Sequence, residues 1–300
     1  MGLWAVWVAG RLLILIPWIT PLVAAFIDAA FLVLVSGLVW REIAAAKSWF
    51  HIPVGMLISL YAVSHILFHI LALSDVATDL PERMAISLMM VLLALIGGRV
   101  TPNFTGELLS QLGNPRQPPP FSRFDGLSLA LIAIAAVVWT IQPQTMTTGW
   151  IMLGAGVINL RRLLRWYGWL TWREPLVLVL HLGYGWLVLA LLLLGCSIIG
   201  FGLETAEAVH ALTTGAVGVM TLAVMTRASL GHTGRPRHAG PVTVVIYILV
   251  TVGALLRVLG LSTGFPANAV FGMATLCWSG AYLLFAAVYG PFLFRPSLDE

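Results

Sequence analysis

The sequence has 300 residues, of which 60% are hydrophobic and only 9% are charged, and its mean hydropathy is +0.97. In soluble domains roughly a quarter of all residues are charged, so a water-soluble fold of this composition would expose far too much apolar surface. The composition therefore excludes a soluble globular enzyme and predicts an all-α, polytopic transmembrane helix bundle. The formal net charge of +4 does not indicate a nucleic-acid partner, because the basic residues cluster in the connections between apolar runs.

The apolar runs predict about ten membrane-spanning helices. A helix rises 1.5 Å per residue, so about 20 residues cross a hydrocarbon core of roughly 30 Å. The runs lie at about residues 3–19, 22–40, 51–73, 83–100, 126–141, 145–164, 175–195, 206–226, 241–260 and 267–290. The first run lacks a basic leader and a cleavage site, so we expect a retained helix rather than a signal peptide.

The connections between these runs alternate in charge. The basic ones are 41–50, 101–125, 165–174, 227–240 and the C-terminal tail. The intervening connections carry one base, Arg83, and the acidic residues Asp75, Asp79, Glu82, Glu204 and Glu207. Because basic loops stay on the cytoplasmic side, this alternation predicts an even number of spans with both termini in the cytoplasm.

The longest connection, 101–125, contains the proline-rich segment Gly113–Pro120, which is typical of a stiff linker. It divides the predicted helices into four and six and offers an internal boundary. No internal repeat supports two separate domains, so we expect one integral membrane domain over residues 1–300.

Few ionisable residues lie within the predicted spans, and each is a functional candidate because an unpaired charge in hydrocarbon is costly. Seven candidates follow: Arg11, Asp28, His65, His69, His181, His210 and Arg257. His65 and His69 are four residues apart, so they share one helix face. Arg11 and Asp28 lie on consecutive helices joined by a tight Pro17–Pro21 turn, and we expect them to neutralise each other.

Other sequence motifs exclude several kinds of chemistry. Cys196 and Cys277 are far apart, so neither a disulfide framework nor a cysteine-rich metal site is expected, and covalent c-type haem is excluded. No phosphate-binding loop, nucleophile elbow or paired-histidine protease motif occurs. The histidines therefore remain the main candidates for chemistry.

The segment His210–Pro236, which reads HALTTGAVGVMTLAVMTRASLGHTGRP, closely resembles the signature of the NnrS family. Further agreements are Phe68-His69, the segment Gly97–Thr105 and the segment His181–Trp186, in family order over nearly the whole chain. The resemblance implies a bacterial inner-membrane protein that binds haem and copper and is linked to nitric oxide stress and denitrification. Typical members have about twelve helices, and the resemblance places this sequence after the first two.

The resemblance implies that several of the intramembrane residues bind a cofactor. We expect the principal haem or metal site in the outer leaflet, with His69 and His210 as ligands and His65 as an alternate. Arg11 or Arg257 would receive a haem propionate, and Arg227 in the basic segment 227–236 would bind a propionate or a lipid phosphate. His181 lies about 15 Å from the depth of His210, so it would serve a second, inner metal site or helix packing.

Three hypotheses for the function are open at this point. The first is a haem- and copper-binding membrane protein that lowers nitric oxide toxicity by acting on nitric oxide or nitrosyl species. The second is a carrier or channel for a small solute, with Arg11, Asp28 and the histidines as pathway groups. The third is a non-catalytic subunit of a respiratory complex, in which the histidines would form hydrogen bonds between helices.

Overall fold

The computed structural model describes residues 2–202, 204–260 and 264–298, and the regular structure in these ranges is entirely helical. Both chain ends, Met1 and Glu300, lie outside the described residues, and the cytoplasmic location of the termini stays a prediction. The described residues form ten helices: α1 (Gly2–Leu13), α2 (Pro21–Ala45), α3 (Ile52–Leu73), α4 (Asp79–Gln111), α5 (Arg123–Ile141), α6 (Met146–Leu164), α7 (Pro175–Ile198), α8 (Thr205–His232), α9 (Pro241–Leu259) and α10 (Ala267–Leu293). The predicted all-helical membrane fold is confirmed.

Eight of these helices are long and apolar enough to cross a membrane, and α1 and α6 are the two that differ. Helix α1 has 12 residues and is therefore about 18 Å long, which is shorter than the crossing expected over 3–19. It ends before Pro17, whose ring disfavours helical geometry in the preceding residue. Helix α6 has 19 residues, but Arg161 and Arg162 in its last turn lower its apolar character.

Helix α4 extends further than the sequence suggested, because it continues through Pro102 to Gln111. Residues 101–111 of the expected loop 101–125 are therefore helical. A proline has no N–H, so Pro102 cannot donate to the carbonyl of Gly98 one turn earlier. Arg162 Nη2 donates to that carbonyl at 3.3 Å, so a side chain supplies the missing donor and the helix continues.

The chain divides into two compact units. Unit 1 comprises Met1–Leu92 and Trp139–Ile141, and unit 2 comprises Leu93–Val138 and Gln142–Glu300. The proposed boundary at the 101–125 connection stays a prediction.

In unit 1, α1 packs on α2 and α2 packs on α3. The close approach of α1 and α2 occurs at Gly10, where a Cβ atom would lie 2.7 Å from Asp28 Oδ1. Between α2 and α3, the hydroxyls of Ser36 and Ser59 are 2.8 Å apart, and Trp40 Nε1 donates to Ser59 at 2.8 Å. Glycine at position 10 therefore allows the helix contact that buries Asp28.

Unit 2 is centred on α7, which packs against both α6 and α8. Two glycines of α8 receive tryptophan rings: a Cβ at Gly215 would meet Trp186 at 2.5 Å, and one at Gly218 would meet Trp278 Nε1 at 2.7 Å. These glycines belong to small-residue pairs at four-residue spacing, a pattern that lets membrane helices approach closely. The close packing explains why α7 is the most buried span.

A buried polar cluster ties four helices of unit 2 together. Arg162, which is 1% exposed, donates from Nε to Asp125 Oδ1 at 3.1 Å and from Nη1 to the Tyr184 hydroxyl at 3.0 Å. Tyr184 in turn donates to Asn159 Oδ1 at 2.8 Å. Gly98 leaves room for the guanidinium, since a Cβ there would lie 2.5 Å from Nη1. We call these residues the Arg162 cluster.

Candidate metal and cofactor sites

Unit 1 contains a cluster of one carboxylate and two imidazoles at Asp28, His65 and His69. Asp28 on α2 is 2% exposed, and its Oδ2 atom accepts from His65 Nε2 at 2.9 Å and from His69 Nε2 at 3.0 Å. The histidines are one turn apart on α3, so both rings reach the same oxygen. One ligand atom from each residue lies within 4.8 Å of the others, a spacing at which all three could bind one metal ion.

Arg11 on α1 completes this cluster by pairing with Asp28 Oδ1. The expected neutralisation of Asp28 by Arg11 is confirmed. A carboxylate only accepts hydrogen bonds, so both rings present an Nε2–H to Asp28 in this arrangement. To bind a metal, the rings would move that proton to Nδ1, and the arginine, whose side chain is 48% exposed, would turn away from the carboxylate.

His210 and Arg257, both in unit 2, contact each other. Arg257 Nη2 donates to His210 Nε2 at 2.6 Å, and the ring proton therefore lies on Nδ1, which has no partner among the described residues. His210 immediately precedes the π-helical segment Ala211–Val217 of α8. Such segments occur frequently at functional sites in helices. Iron ligation by His210 Nε2 would require Arg257 to release it.

His181 lies on α7 and is 6% exposed. Its Nε2 atom is 2.8 Å from the hydroxyl of Thr105 on α4, and Gly168 packs on the imidazole ring. The Nδ1 atom has no partner among the described residues. His181 thus makes an interhelical hydrogen bond through one nitrogen and leaves the other unused.

Arg227 lines a cavity of about 850 Å³ at the end of α8. The residue is 9% exposed, its Nη2 atom donates to Glu107 Oε2 at 3.1 Å, and its guanidinium lies 3.6 Å from the ring centroid of Phe104. Its Nε atom has no partner within the described part of the chain. Other residues that line the cavity are Val100, Leu180, Val224, His232, Arg235 and Arg237.

The structure thus groups the expected site residues into four places. His65, His69 and Arg11 meet at Asp28, His210 meets Arg257, and His181 and Arg227 each have surroundings of their own. The shared ligation of one haem by His69 and His210 stays a prediction, since these residues belong to different units.

Sequence reasoning missed two features of these sites. The sequence predicts the pairing of Asp28 with Arg11 but not the hydrogen bonds that Asp28 accepts from both histidines of α3. The candidates chosen from the sequence do not include Arg162, which lies two residues before the end of the predicted run 145–164. Ser122 and Asp125 form a capping box, a sequence pattern that marks the start of a helix, here α5. This pattern could have located Asp125, the carboxylate partner of Arg162.

The fold and these sites define a multi-pass membrane protein of apolar helices that carry histidines and contact the lipid bilayer. Comparison with protein families gives a match to the NnrS protein family over residues 1–297. The chain therefore belongs to the NnrS family. Comparison with curated proteins and with solved structures gave no match.

Proposed function

We propose that this chain is a metal- and haem-binding protein of the bacterial inner membrane that contributes to nitric oxide tolerance. The observation that carries the proposal is the cluster of Asp28, His65 and His69, with three ligand atoms within 4.8 Å of one another. Imidazole and carboxylate together suit copper, zinc and iron. Copper is the metal that the family resemblance favours.

The arrangement around Asp28 supports metal binding in a further way. The carboxylate is buried but its arginine partner is half-exposed, so Arg11 has room to turn away when a cation replaces it. The two imidazoles are already on one side of the carboxylate, with ring centroids 4.7 Å apart. Little movement is needed for the three groups to converge on one ion.

The metal content of protein purified in detergent tests this site. After exposure to copper and removal of the excess, the wild-type protein should retain copper, and the double variant His65→Leu/His69→Leu should not. His51→Leu is the matched control, because His51 precedes α3 and contacts Ser48 instead of Asp28. Equal copper content in the wild type and the double variant would reject the site.

Arg11→Gln gives a second measurement in the opposite direction. Removing the competing cation should increase the affinity for copper, because the ion then meets a carboxylate without a counter-charge. Asp28→Asn should decrease the affinity, since the amide removes the negative charge at similar size. An unchanged copper affinity in both variants would mean that the metal binds elsewhere.

The haem implied by the family fits the cavity at Arg227. Haem has an apolar macrocycle and two carboxylates, and the cavity combines apolar walls with Arg227, Arg235 and Arg237. These arginines would hold the carboxylates, and His232 offers an imidazole to the iron. Glu107 already binds Arg227 and would share it with a propionate. When bound, haem supplies an iron atom that takes nitric oxide as a ligand.

The absorption spectrum of the purified protein tests the haem site. The wild type should show a Soret band, and Arg227→Gln should lower haem retention. Arg173→Gln is the control, because Arg173 is exposed and stacks on Trp172 away from the cavity. Normal haem retention in Arg227→Gln would leave this residue only the role of anchoring the cytoplasmic end of α8.

The biological part of the proposal needs a cellular measurement. Expression in a bacterial host sensitive to nitric oxide should raise growth in the presence of a nitric oxide donor. The double variant His65→Leu/His69→Leu should lose that gain at equal membrane abundance. A gain that persists in the variant would favour the solute-carrier reading, in which no metal is required.

A further inference from the structure

A groove of about 460 Å³ lies beside His181 in unit 2. Parts of α6, α7, α9 and the turn Gly168–Thr171 form its walls. Its lining includes Gly168, Trp169, His181, Gly185, Trp186 and Thr251. Leu182, Leu189 and Leu255 are partly exposed apolar side chains on membrane-crossing helices, so the groove opens towards lipid.

Two buried polar atoms of residues that line this apolar groove have no hydrogen-bond partner among the described residues. They are His181 Nδ1 and Thr251 Oγ1, from α7 and α9. A buried polar atom without a partner costs free energy, and lipid chains cannot supply one. The two atoms therefore indicate a ligand that enters from the membrane and carries polar groups of its own.

The hydrogen bonds of Thr105 determine which kind of group His181 can bind. The Thr105 hydroxyl donates its single proton to the carbonyl of Thr101 at 2.8 Å. It can therefore only accept from His181, and the His181 Nε2 atom at 2.8 Å carries the ring proton. In the neutral ring, Nδ1 then holds a lone pair and acts as an acceptor.

We propose that this groove binds a lipid-soluble molecule with a hydroxyl-bearing aromatic head group, such as a quinol. A head-group hydroxyl would donate to His181 Nδ1, and Thr251 would donate to or accept from a second oxygen. Trp169 and Trp186 line the groove and offer aromatic faces for the head group. The copper and haem sites share no residue with this groove, so the inference does not depend on them.

The tautomer of His181 predicts which redox form of the ligand binds more tightly. A quinol carries O–H donors, and the corresponding quinone carries only carbonyl acceptors. The quinone would leave His181 Nδ1 unpaired, whereas the quinol would satisfy it. We therefore expect the reduced form to bind roughly tenfold more tightly, which is the cost of one unmade hydrogen bond to a buried acceptor.

Binding of a one-isoprene ubiquinol and its quinone to detergent-purified protein, measured by equilibrium dialysis, tests the proposal. His181→Phe keeps an aromatic ring but removes the acceptor, and Thr251→Val removes the hydroxyl at similar volume. Each should weaken quinol binding roughly tenfold. The variant Thr251→Ser keeps the hydroxyl and should bind the quinol as tightly as the wild type.

Thr105→Val separates this mechanism from a general effect on packing. Without the Thr105 acceptor, the His181 proton is free to move to Nδ1, where it can donate to a quinone carbonyl as well as to a quinol oxygen. Affinity for the quinone should therefore rise, and the preference for the quinol should fall. Gly168→Ala should also block binding, because its Cβ would lie 2.6 Å from His181 Nδ1. Gly185→Ala is the control in the same groove, where the nearest atom is 3.8 Å away.

The proposal fails if the wild type binds neither form, or binds the quinone as tightly as the quinol. It also fails if His181→Phe and Thr251→Val retain wild-type affinity. A variant that does not fold is recognised by its size-exclusion profile, and Thr105→Val then decides through the ratio of the two affinities. Copper content should be the same in all of these variants, since Asp28, His65 and His69 are unchanged.

Discussion

Each unit buries one aspartate against an arginine, and the two pairs differ in what surrounds the arginine. In unit 2, Arg162 is 1% exposed and each of its three guanidinium nitrogens donates to a partner within the protein. In unit 1, Asp28 is just as buried, but the Arg11 side chain is 48% exposed. The Arg162 pair is thus held on all sides by the protein, whereas the protein covers only about half of the Arg11 side chain.

The partners of the two carboxylates differ in the same way. Asp125 accepts from the Ser122 backbone and hydroxyl, which cap the start of α5. Asp28 accepts from two imidazoles, which are able to exchange a proton for a metal ion. A buried ion pair with permanent partners serves structure, and one with exchangeable partners offers a binding site.

The burial of the helices follows this contrast. In α7 of unit 2, 67% of the most apolar stretch is buried, compared with 11% for the span that contains α3 in unit 1. Close packing in unit 2 depends on glycines that receive large rings, such as Gly215 against Trp186. The two histidines of the Asp28 site therefore lie on a helix with few packing constraints, which allows their side chains to rearrange.

An all-or-none test concerns the topology on which the depth of every site depends. Reporter fusions at Gln117 and at Glu204 should report opposite compartments, with Gln117 in the cytoplasm, because basic connections stay inside. If both fusions report the same compartment, the predicted alternation of cytoplasmic and external loops is wrong.

The largest effect on stability should come from the Arg162 cluster. Arg162→Leu leaves Asp125 as a buried charge without its main partner, and we expect a loss of about 3–5 kcal/mol in the free energy of unfolding. Thermal unfolding in detergent measures this loss. The neighbouring, exposed Arg161 is the matched control, and Arg161→Leu should change stability by less than about 1 kcal/mol. Equal effects of the two substitutions would show that Arg162 is not held as described.

Metal binding should stabilise unit 1 by a smaller amount. Copper at about 100 times its dissociation constant should raise the free energy of unfolding by about 2.7 kcal/mol if it binds only the folded protein. The same thermal measurement should show no increase for His65→Leu/His69→Leu. An equal increase in that variant would assign the stabilisation to another part of the chain.

The smallest expected effect compares two glycines. Gly215→Ala places a methyl group 2.5 Å from the Trp186 ring and should cost about 1–3 kcal/mol by overpacking. Gly37→Ala, on α2 of unit 1, meets no atom within 4 Å and should stabilise the helix by up to about 1 kcal/mol. If both substitutions destabilise the protein equally, the described difference in helix packing between the two units is wrong.

The sequence by itself determined the membrane class, the helical fold and the approximate positions of the helices. These properties follow from composition and from runs of apolar residues, which act locally and need no knowledge of neighbours. The pairing of Arg11 with Asp28 was also predictable, because a short turn joins their helices. The small-residue spacing of α8 can also be read from the sequence, because the whole pattern lies within one helix.

Only the tertiary structure decided which groups share a site. It brought His65 and His69 onto the oxygen of Asp28, and Thr105 onto His181, through contacts between helices that are distant in sequence. It also carried α4 through Pro102, because Arg162 from α6 replaces the donor that the proline lacks. A sequence pattern shows the face of a helix, but the partner of that face depends on how the helices pack, and the chemistry of a histidine depends on that partner.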